Sequence, residues 1–221
     1  LLEKEISALS KVLEDPERPL VAIIGGAKVS DKIKILAKLL PIVDRLIIGG
    51  GMANTFLAAK GYDMQKSLVE EDKIDLAKDI LNGEYAEELI LPVDCRAASE
   101  FSNDADIKLV AADAIPEGYQ SLDIGDASID AFVKALDGAK TILWNGPMGV
   151  FEMSNFAIGT KAIAQAVAAT DAYSVIGGGD SSAAVKAVGM EKGISHISTG
   201  GGASLKFLEG KELPGIAACK E

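Results

Sequence analysis

Four short apolar runs in this chain break into glycine clusters, and residues with a helical pattern follow each cluster. A buried strand that turns through glycine into a helix leaves backbone N–H groups at the positive end of the helix dipole, where phosphate binds. Lys28 and Lys32 follow the first cluster, and Asp180 follows the third. This combination predicts a site for nucleotide phosphates. The clusters are Gly25–Gly26, Gly49–Gly51, Gly177–Gly179 and Gly200–Gly202.

The two lysines stand near the expected start of a helix. Ser30 is a suitable N-cap for a helix that runs to Leu40. Lys28 would then precede the first turn, and Lys32 would lie within it. Cations at a helix N-terminus oppose the dipole and cost roughly 0.3–1 kcal/mol each, and an anion bound between the lysines and the dipole would offset that cost. The alternative is that both lysines are solvated surface residues, partly neutralised by Asp31.

Asp180 admits two roles. As a helix N-cap it would need no ligand, because the preceding glycines would only make the turn. Alternatively, the N–H groups of Gly178, Gly179 and Ser181 would bind a phosphate in transfer. Asp180 would then hold Mg²⁺, which proteins bind through one or two carboxylates together with nucleotide phosphates. The two roles are compatible if only one carboxylate oxygen caps the helix.

The segment Trp144–Glu152 ends another predicted strand. A turn is sufficient to explain its glycines and proline. The amide of Asn145 and the carboxylate of Glu152 would also suit phosphate and ribose contacts. His196 is the only histidine of the chain, and its type and position favour a structural role over that of a general base.

The glycine clusters match neither of two common nucleotide motifs. The sequence has no G-x-x-x-x-G-K-[ST] segment, and none of the clusters completes G-x-G-x-x-G. The second absence counts against a nicotinamide-dependent dehydrogenase domain.

Length, charge and composition restrict the class of protein. A chain of 221 residues can bury a substantial core as one domain or two small ones. The net charge of −11 argues against general nucleic-acid binding, which needs an excess of Lys and Arg on one face. No apolar run is long enough for a bilayer, and no leader peptide is recognisable. We therefore expect a cytoplasmic protein with no membrane partner, whose cysteines, Cys95 and Cys219, are reduced.

Strand and helix patterns alternate along the chain, which predicts an α/β fold: a three-layer, Rossmann-like domain with a mainly parallel sheet flanked by helices. Ligands of such sheets bind at the carboxyl ends of the strands. Phe101–Asp106 and Ile115–Gly125 are expected to be loops. The amphipathic helix Leu1–Leu13 begins without an initiator Met or a cap, so we expect the chain to start within a longer protein. Predicted strands are Leu20–Ile24, Arg45–Ile48, Leu89–Pro92, Lys108–Ala111, Thr141–Trp144, Ser174–Ile176 and His196–Ser198, and further helices are Ser30–Leu40, Met52–Ala59, Glu70–Asn82, Ser128–Leu136, Asn155–Ala169, Ser181–Val188 and Ala203–Glu209.

Five ordered motifs resemble the phosphoglycerate kinase family, specifically its C-terminal, nucleotide-binding domain. They are GGAKVSDKI, IIGGGMANTF, ILWNGPMGVFE, VIGGGDSSAAV and HISTGGGASL, and LEGKELPG follows near the end. The resemblance implies a helix of the interdomain type in residues 1–14 and a nucleotide-binding α/β domain in residues 15–221, with a hinge and C-terminal segment in 198–221. It also implies a glycolytic phosphotransferase that moves a phosphoryl group between 1,3-bisphosphoglycerate and Mg-ADP.

The resemblance assigns roles to individual residues. Lys28 would contact the nucleotide phosphates, and Lys32 would steady the phosphoryl group in transfer. Gly178 and Gly179 would supply backbone donors, and Asp180 would ligate Mg²⁺. The remaining nucleotide-binding positions would be Asn145 and Ser181 at the phosphates, Glu152 at the ribose, Gly49, Gly50, Gly51, Gly125, Pro147, Gly149 and Val150 on the adenine side, and Gly26 in the first motif.

One part of the family pattern has no counterpart in this sequence. The N-terminal domain that binds 3-phosphoglycerate, with its basic patch, is not matched by any segment. The resemblance therefore implies a monomeric chain that binds ADP or ATP but is nearly inactive alone. The alternative is a non-catalytic nucleotide-binding or interaction module that reuses the fold.

Overall fold

The computed structural model describes residues 2–198, which form seven α-helices and nine strands within that range. The helices are α1 (Leu2–Leu13), α2 (Ile33–Leu39), α3 (Gly51–Ala59), α4 (Ile74–Leu81), α5 (Asp126–Leu136), α6 (Ile158–Ala169) and α7 (Gly179–Ala187). The strands are β1 (Leu20–Ile24), β2 (Arg45–Ile48), β3 (Leu89–Ile90), β4 (Asp94–Ala98), β5 (Ile107–Ala111), β6 (Gln120–Ile124), β7 (Thr141–Asn145), β8 (Tyr173–Gly177) and β9 (His196–Ile197). None of these helices has the length and apolar character needed to cross a bilayer.

Six strands form one parallel sheet in the order β3-β2-β1-β7-β8-β9. Every residue of β1 and β7 is buried, because helices cover both faces. Leu20 and Ile24 pack toward α1, α2 and α3, whereas Val21 and Ile23 pack toward α5, α6 and α7. This alternation along one strand gives three layers and confirms the predicted fold class.

The strand order reverses between β1 and β7. From β1 the chain proceeds outward to β2 and β3, and from β7 it proceeds in the opposite direction to β8 and β9. At such a reversal the connections leave toward opposite faces, and a crevice opens beyond the carboxyl ends of the two central strands. Three of the predicted glycine clusters lie at that edge. The fourth, Gly200–Gly202, lies outside the described residues, as do the predicted helix Ala203–Glu209, most of the segment 198–221 and Cys219.

A second, antiparallel sheet of three strands, β5-β4-β6, corrects the predicted loop organisation. Only β5 corresponds to a predicted strand. Strand β6 occupies half of the segment 115–125, which was predicted to be irregular. Polar residues such as Asp94, Arg96 and Asp123 interrupt the apolar pattern of β4 and β6, so these strands depend on pairing with distant segments. Cys95 is buried in β4, and burial raises the pKa of its thiol to about 11.

The predicted helix cap at Ser30 is wrong, and so is the alternative in which Asp180 caps its helix. Val29–Asp31 forms a short 3-10 turn, and α2 begins at Ile33 with Lys32 as its N-cap. The backbone N–H of Ser30 instead donates to Glu70 Oε1 at 3.0 Å. In α7 the N-cap is Gly178, so Asp180 lies in the first turn and its side chain does not cap the helix.

Candidate functional site

Three connections meet at the carboxyl edge of the parallel sheet, beyond β1, β2 and β7. The N–H of Gly26 donates to the Pro147 carbonyl at 3.1 Å, and the N–H of Gly50 donates to the Met148 carbonyl at 3.1 Å. The N–H of Met52 donates to the Gly26 carbonyl at 3.0 Å. The three connections are therefore joined to one another by backbone hydrogen bonds. Their outer surface forms one continuous wall at the carboxyl ends of the strands.

The connection after β7 approaches the one after β1 so closely that side chains are excluded. A Cβ on Gly25 would overlap the Pro147 carbonyl oxygen, and a Cβ on Gly146 would overlap the Gly25 carbonyl. Gly146 also has a φ of +102°, which L-residues rarely adopt. The glycines in these two motifs therefore serve backbone packing at the strand ends.

Buried hydroxyl groups fix the connection after β7 from the opposite side. The Ser181 hydroxyl accepts the N–H of Gly146 at 2.7 Å, and the Thr160 hydroxyl accepts the N–H of Met148 at 3.0 Å. Both hydroxyl-bearing residues are fully buried. The Ser181 hydroxyl oxygen thus has a partner within the protein. Thr160 was not identified from the sequence, because nothing local distinguishes it from other small residues of α6.

Lys32, Asn145 and Asp180 form a polar cluster at one end of this edge. The Lys32 Nζ donates to Asn145 Oδ1. Burial lowers the pKa of Lys32, while the charges of Asp31 and Asp180 act in the opposite direction. A nearby anion would favour the charged form of this lysine. The Asn145 amide also lies beside Gly178, whose Cβ position would be 3.4 Å from Asn145 Nδ2.

Lys28 is not part of the contacts that form this cluster. It is exposed and immediately precedes the 3-10 turn. Burial by itself would raise the pKa of Glu70, but hydrogen bonds from Ser30 and Val29 and the charge of Lys28 hold it below its ordinary value. The structure therefore joins Lys32, and not Lys28, to Asn145 and Asp180.

A cleft of about 570 Å³ extends from Asp180 between α3, the connection after β7 and the antiparallel sheet. Its walls are mainly apolar, with a few polar groups, which is the usual character of a site for a small organic ligand. Eight predicted site residues line it. They are Gly26, Gly50, Gly51, Pro147, Gly149, Val150, Glu152 and Asp180.

Other predicted glycines lie elsewhere. Gly49 leaves room for Met148, because a Cβ there would overlap the Met148 sulfur. Gly125 is buried against the Asp94 carboxylate, behind the cleft wall. Gly178 and Gly179 form the start of α7, where Gly179 is exposed.

Two buried carboxylates that line the cleft were not identified from the sequence. Asp94 accepts the N–H groups of Ala127 and Ser128 at the start of α5. Asp123 accepts the N–H of Gly159 at 2.9 Å, at the start of α6. Each carboxylate thereby satisfies amides that a helix N-terminus leaves free. Burial raises the pKa of Asp123 to about 7, although its hydrogen bonds and the nearby Arg96 oppose the shift.

Asp180 is compatible with a magnesium ion that a nucleotide brings with it. Residues 2–198 contain no group of three or more His, Cys, Asp or Glu side chains that could form a cage for a metal. Mg²⁺ retains several waters and commonly uses one or two carboxylates plus substrate phosphates. The exposed carboxylate of Asp180, at the end of the cleft, fits that donor set.

A family model and the sequences of known proteins point to the same family for this chain. Residues 1–211 match the family model of phosphoglycerate kinase. The phosphoglycerate kinase of Moorella thermoacetica is 58% identical over 223 residues, which cover 100% of this chain and 57% of that protein. That of Macrococcus caseolyticus is 56% identical and covers 100% of this chain and 56% of its own length.

Solved structures give the same result. The structure of phosphoglycerate kinase from Coxiella burnetii has a TM-score of 0.94 and 47% identity, and covers 98% of this chain and 57% of that one. The corresponding Pyrococcus horikoshii structure has a TM-score of 0.85 and 35% identity, and covers 99% of this chain and 56% of that one. The chain thus spans a little over half the length of these relatives.

Proposed function

The chain belongs to the phosphoglycerate kinase family, and from this premise we propose that it binds Mg-ADP and Mg-ATP as the nucleotide half of that enzyme. The reaction would be transfer of a phosphoryl group between 1,3-bisphosphoglycerate and ADP. The observation that supports the proposal most directly is the continuity of the apolar cleft with Asp180, beside the cluster of Lys32 and Asn145.

The arrangement suits a nucleotide whose base enters the cleft and whose phosphates extend toward Asp180. Phosphoryl transfer needs little covalent help from the protein, and depends on positioning and on neutralising charge on the equatorial oxygens. Lys32 would supply a positive charge, the start of α7 would supply N–H groups, and Asp180 would hold Mg²⁺. The magnesium ion would neutralise phosphate charge when it is bound. Glu152, at the cleft wall, would accept hydrogen bonds from the ribose hydroxyls.

The acid substrate would be bound by a separate N-terminal domain, and closure of the two domains would align the reacting groups. Correct positioning contributes up to about 7–11 kcal/mol to such reactions. We therefore expect this polypeptide by itself to bind Mg-ADP, as measured by calorimetry, and to show almost no turnover with both substrates. Failure of the folded polypeptide to bind Mg-ADP would contradict the proposal, and near-native turnover would contradict the division of labour between domains.

Asp180→Asn tests the magnesium assignment. The substitution keeps the size of the side chain but removes its charge, so affinity for Mg-ADP should fall by about tenfold or more, and affinity for metal-free ADP should stay the same or rise. Calorimetric titrations with and without Mg²⁺ measure both affinities.

Asp171→Asn is the matched control for this substitution. Asp171 is also exposed, and it lies between α6 and β8, near the amino ends of the strands and away from the cleft. This variant should change neither affinity. Equal losses of Mg-ADP and free ADP binding in Asp180→Asn would remove the metal assignment while leaving nucleotide binding intact.

A further inference from the structure

Asn54 differs from the other buried polar side chains of residues 2–198. It lies in α3 and is 4% exposed, yet its carboxamide hydrogen-bonds to none of the described residues. Each of the others takes part in a hydrogen bond or another interaction; the neighbouring Thr55, for example, accepts the N–H of Glu70 at 3.1 Å. Among the described residues, the fully enclosed side-chain polar atoms without a partner are Glu88 Oε2, Arg96 Nε and His196 Nε2, and the Asn54 amide is not one of them. The N and O atoms of this amide therefore reach open space and are available to a ligand.

Asn54 lines the cleft from the side of α3. Gly51 and Leu57, three residues before and after it on the same helix face, line the cleft as well. Beyond Leu57 the wall continues with Met64 and Ile124, which are apolar and buried. The Asn54 amide therefore lies between the glycines at the start of α3 and the apolar part of the cleft. A flat ring would bind in that apolar part.

We propose that the Asn54 carboxamide hydrogen-bonds the edge of the purine base and sets the base preference of the site. A carboxamide offers an N–H donor and a carbonyl acceptor side by side. Adenine presents the complementary pair, since N7 accepts and the 6-amino group donates, whereas a 6-oxopurine presents two acceptors. This inference rests on the proposed function, because it takes the occupant of the cleft to be an adenine nucleotide.

Asn54→Leu tests the contact, because leucine has a similar size but cannot form hydrogen bonds. The probes are ADP, 7-deaza-ADP, in which a C–H group replaces N7, and the diphosphate of purine riboside, which lacks the 6-amino group. In the unaltered chain ADP should bind roughly tenfold more tightly than either analogue. In Asn54→Leu, which removes both hydrogen bonds, the affinity for ADP should fall tenfold or more, and the three nucleotides should bind with similar affinity.

The stability of the ligand-free protein should change in the opposite direction. Asn54→Leu removes no hydrogen bond to a described residue, so the melting temperature of this variant should be unchanged or higher. Thr55→Val is the control, because it removes a buried hydroxyl of the same helix that is not among the groups lining the cleft. This variant should lower the melting temperature and keep the ratio of ADP to 7-deaza-ADP affinity.

A second variant keeps the test decisive if Asn54→Leu folds poorly. Asn54→Asp keeps the shape but replaces the donor with a negative charge, so ADP should lose its advantage over 7-deaza-ADP. An unchanged ratio in either folded variant, or an equal loss for all three nucleotides, would overturn the inference and leave the proposed function standing. Absence of ADP binding by the unaltered chain would overturn both.

Discussion

Lys32→Ala should lower the turnover of a complete enzyme by roughly 10³ and weaken ADP binding far less, as for other cations that act in the transition state. The complete enzyme is a chimera in which this chain replaces the matching 57% of the Moorella thermoacetica protein. Lys32 is held by Asn145 and lies close enough to Asp180 to experience its charge. In the proposed function its ammonium group faces the phosphoryl group and stabilises the charge on the oxygens of that group during transfer.

Steady-state kinetics and ADP titrations separate this role from simple binding. A transition-state contact lowers kcat and kcat/KM together, whereas uniform binding raises KM at constant kcat. Lys38→Ala is the matched control, because Lys38 is an exposed lysine of the same helix and should leave both quantities unchanged. Normal kcat with a raised KM in Lys32→Ala would refute the proposed role.

The parallel sheet could be predicted from the sequence because each of its central strands can be recognised from its own residues. Strands β1 and β2 have the predicted bounds, β7 is one residue longer at its end, and β8 is one residue longer at each end. Their residues are apolar because both faces are covered, so a continuous apolar run ending in glycine is sufficient evidence. The antiparallel sheet has no such local signal. Arg96 and Asp123 lie in neighbouring strands, with Arg96 Nε 3.7 Å from Asp123 Oδ2, and this pairing depends on the register of β4 with β6.

The site residues also fall into two groups, those that the local sequence indicates and those that depend on distant segments. Lys32 and Asp180 could be identified because they belong to the glycine-containing connections that follow β1 and β8. Parallel strands bring their carboxyl ends, and so these connections, to one edge of the sheet. Asn54 and Thr160 could not, because their importance depends on what lies opposite them in the folded chain. The cap predicted at Ser30, and the alternative of a cap at Asp180, were wrong for a related reason. Both residues suit an N-cap, but the contact with Glu70 and the backbone of Gly178 decide where each helix begins.

Gly146→Ala should produce the largest loss of stability among single substitutions at this site. Gly146 has a φ of +102°, and an added Cβ would overlap the Gly25 carbonyl and lie 3.0 Å from Gly25 Cα. Its N–H also donates to the buried Ser181 hydroxyl, so the backbone cannot move away without breaking that hydrogen bond. Backbone strain of about 1–3 kcal/mol adds to an overpacking cost of about 1–3 kcal/mol or more.

Gly138→Ala separates the two contributions. Gly138 also has a positive φ, +77°, but no heavy atom lies within 4 Å of its Cβ position, so this variant should show the strain alone. We expect urea unfolding to give a loss of more than about 3 kcal/mol for Gly146→Ala and of about 1–2 kcal/mol for Gly138→Ala. Similar losses in the two variants would mean that the approach of the connections after β1 and β7 is not tight. The glycines of those motifs would then owe their presence to the ligand and not to the packing of the two connections that form its wall.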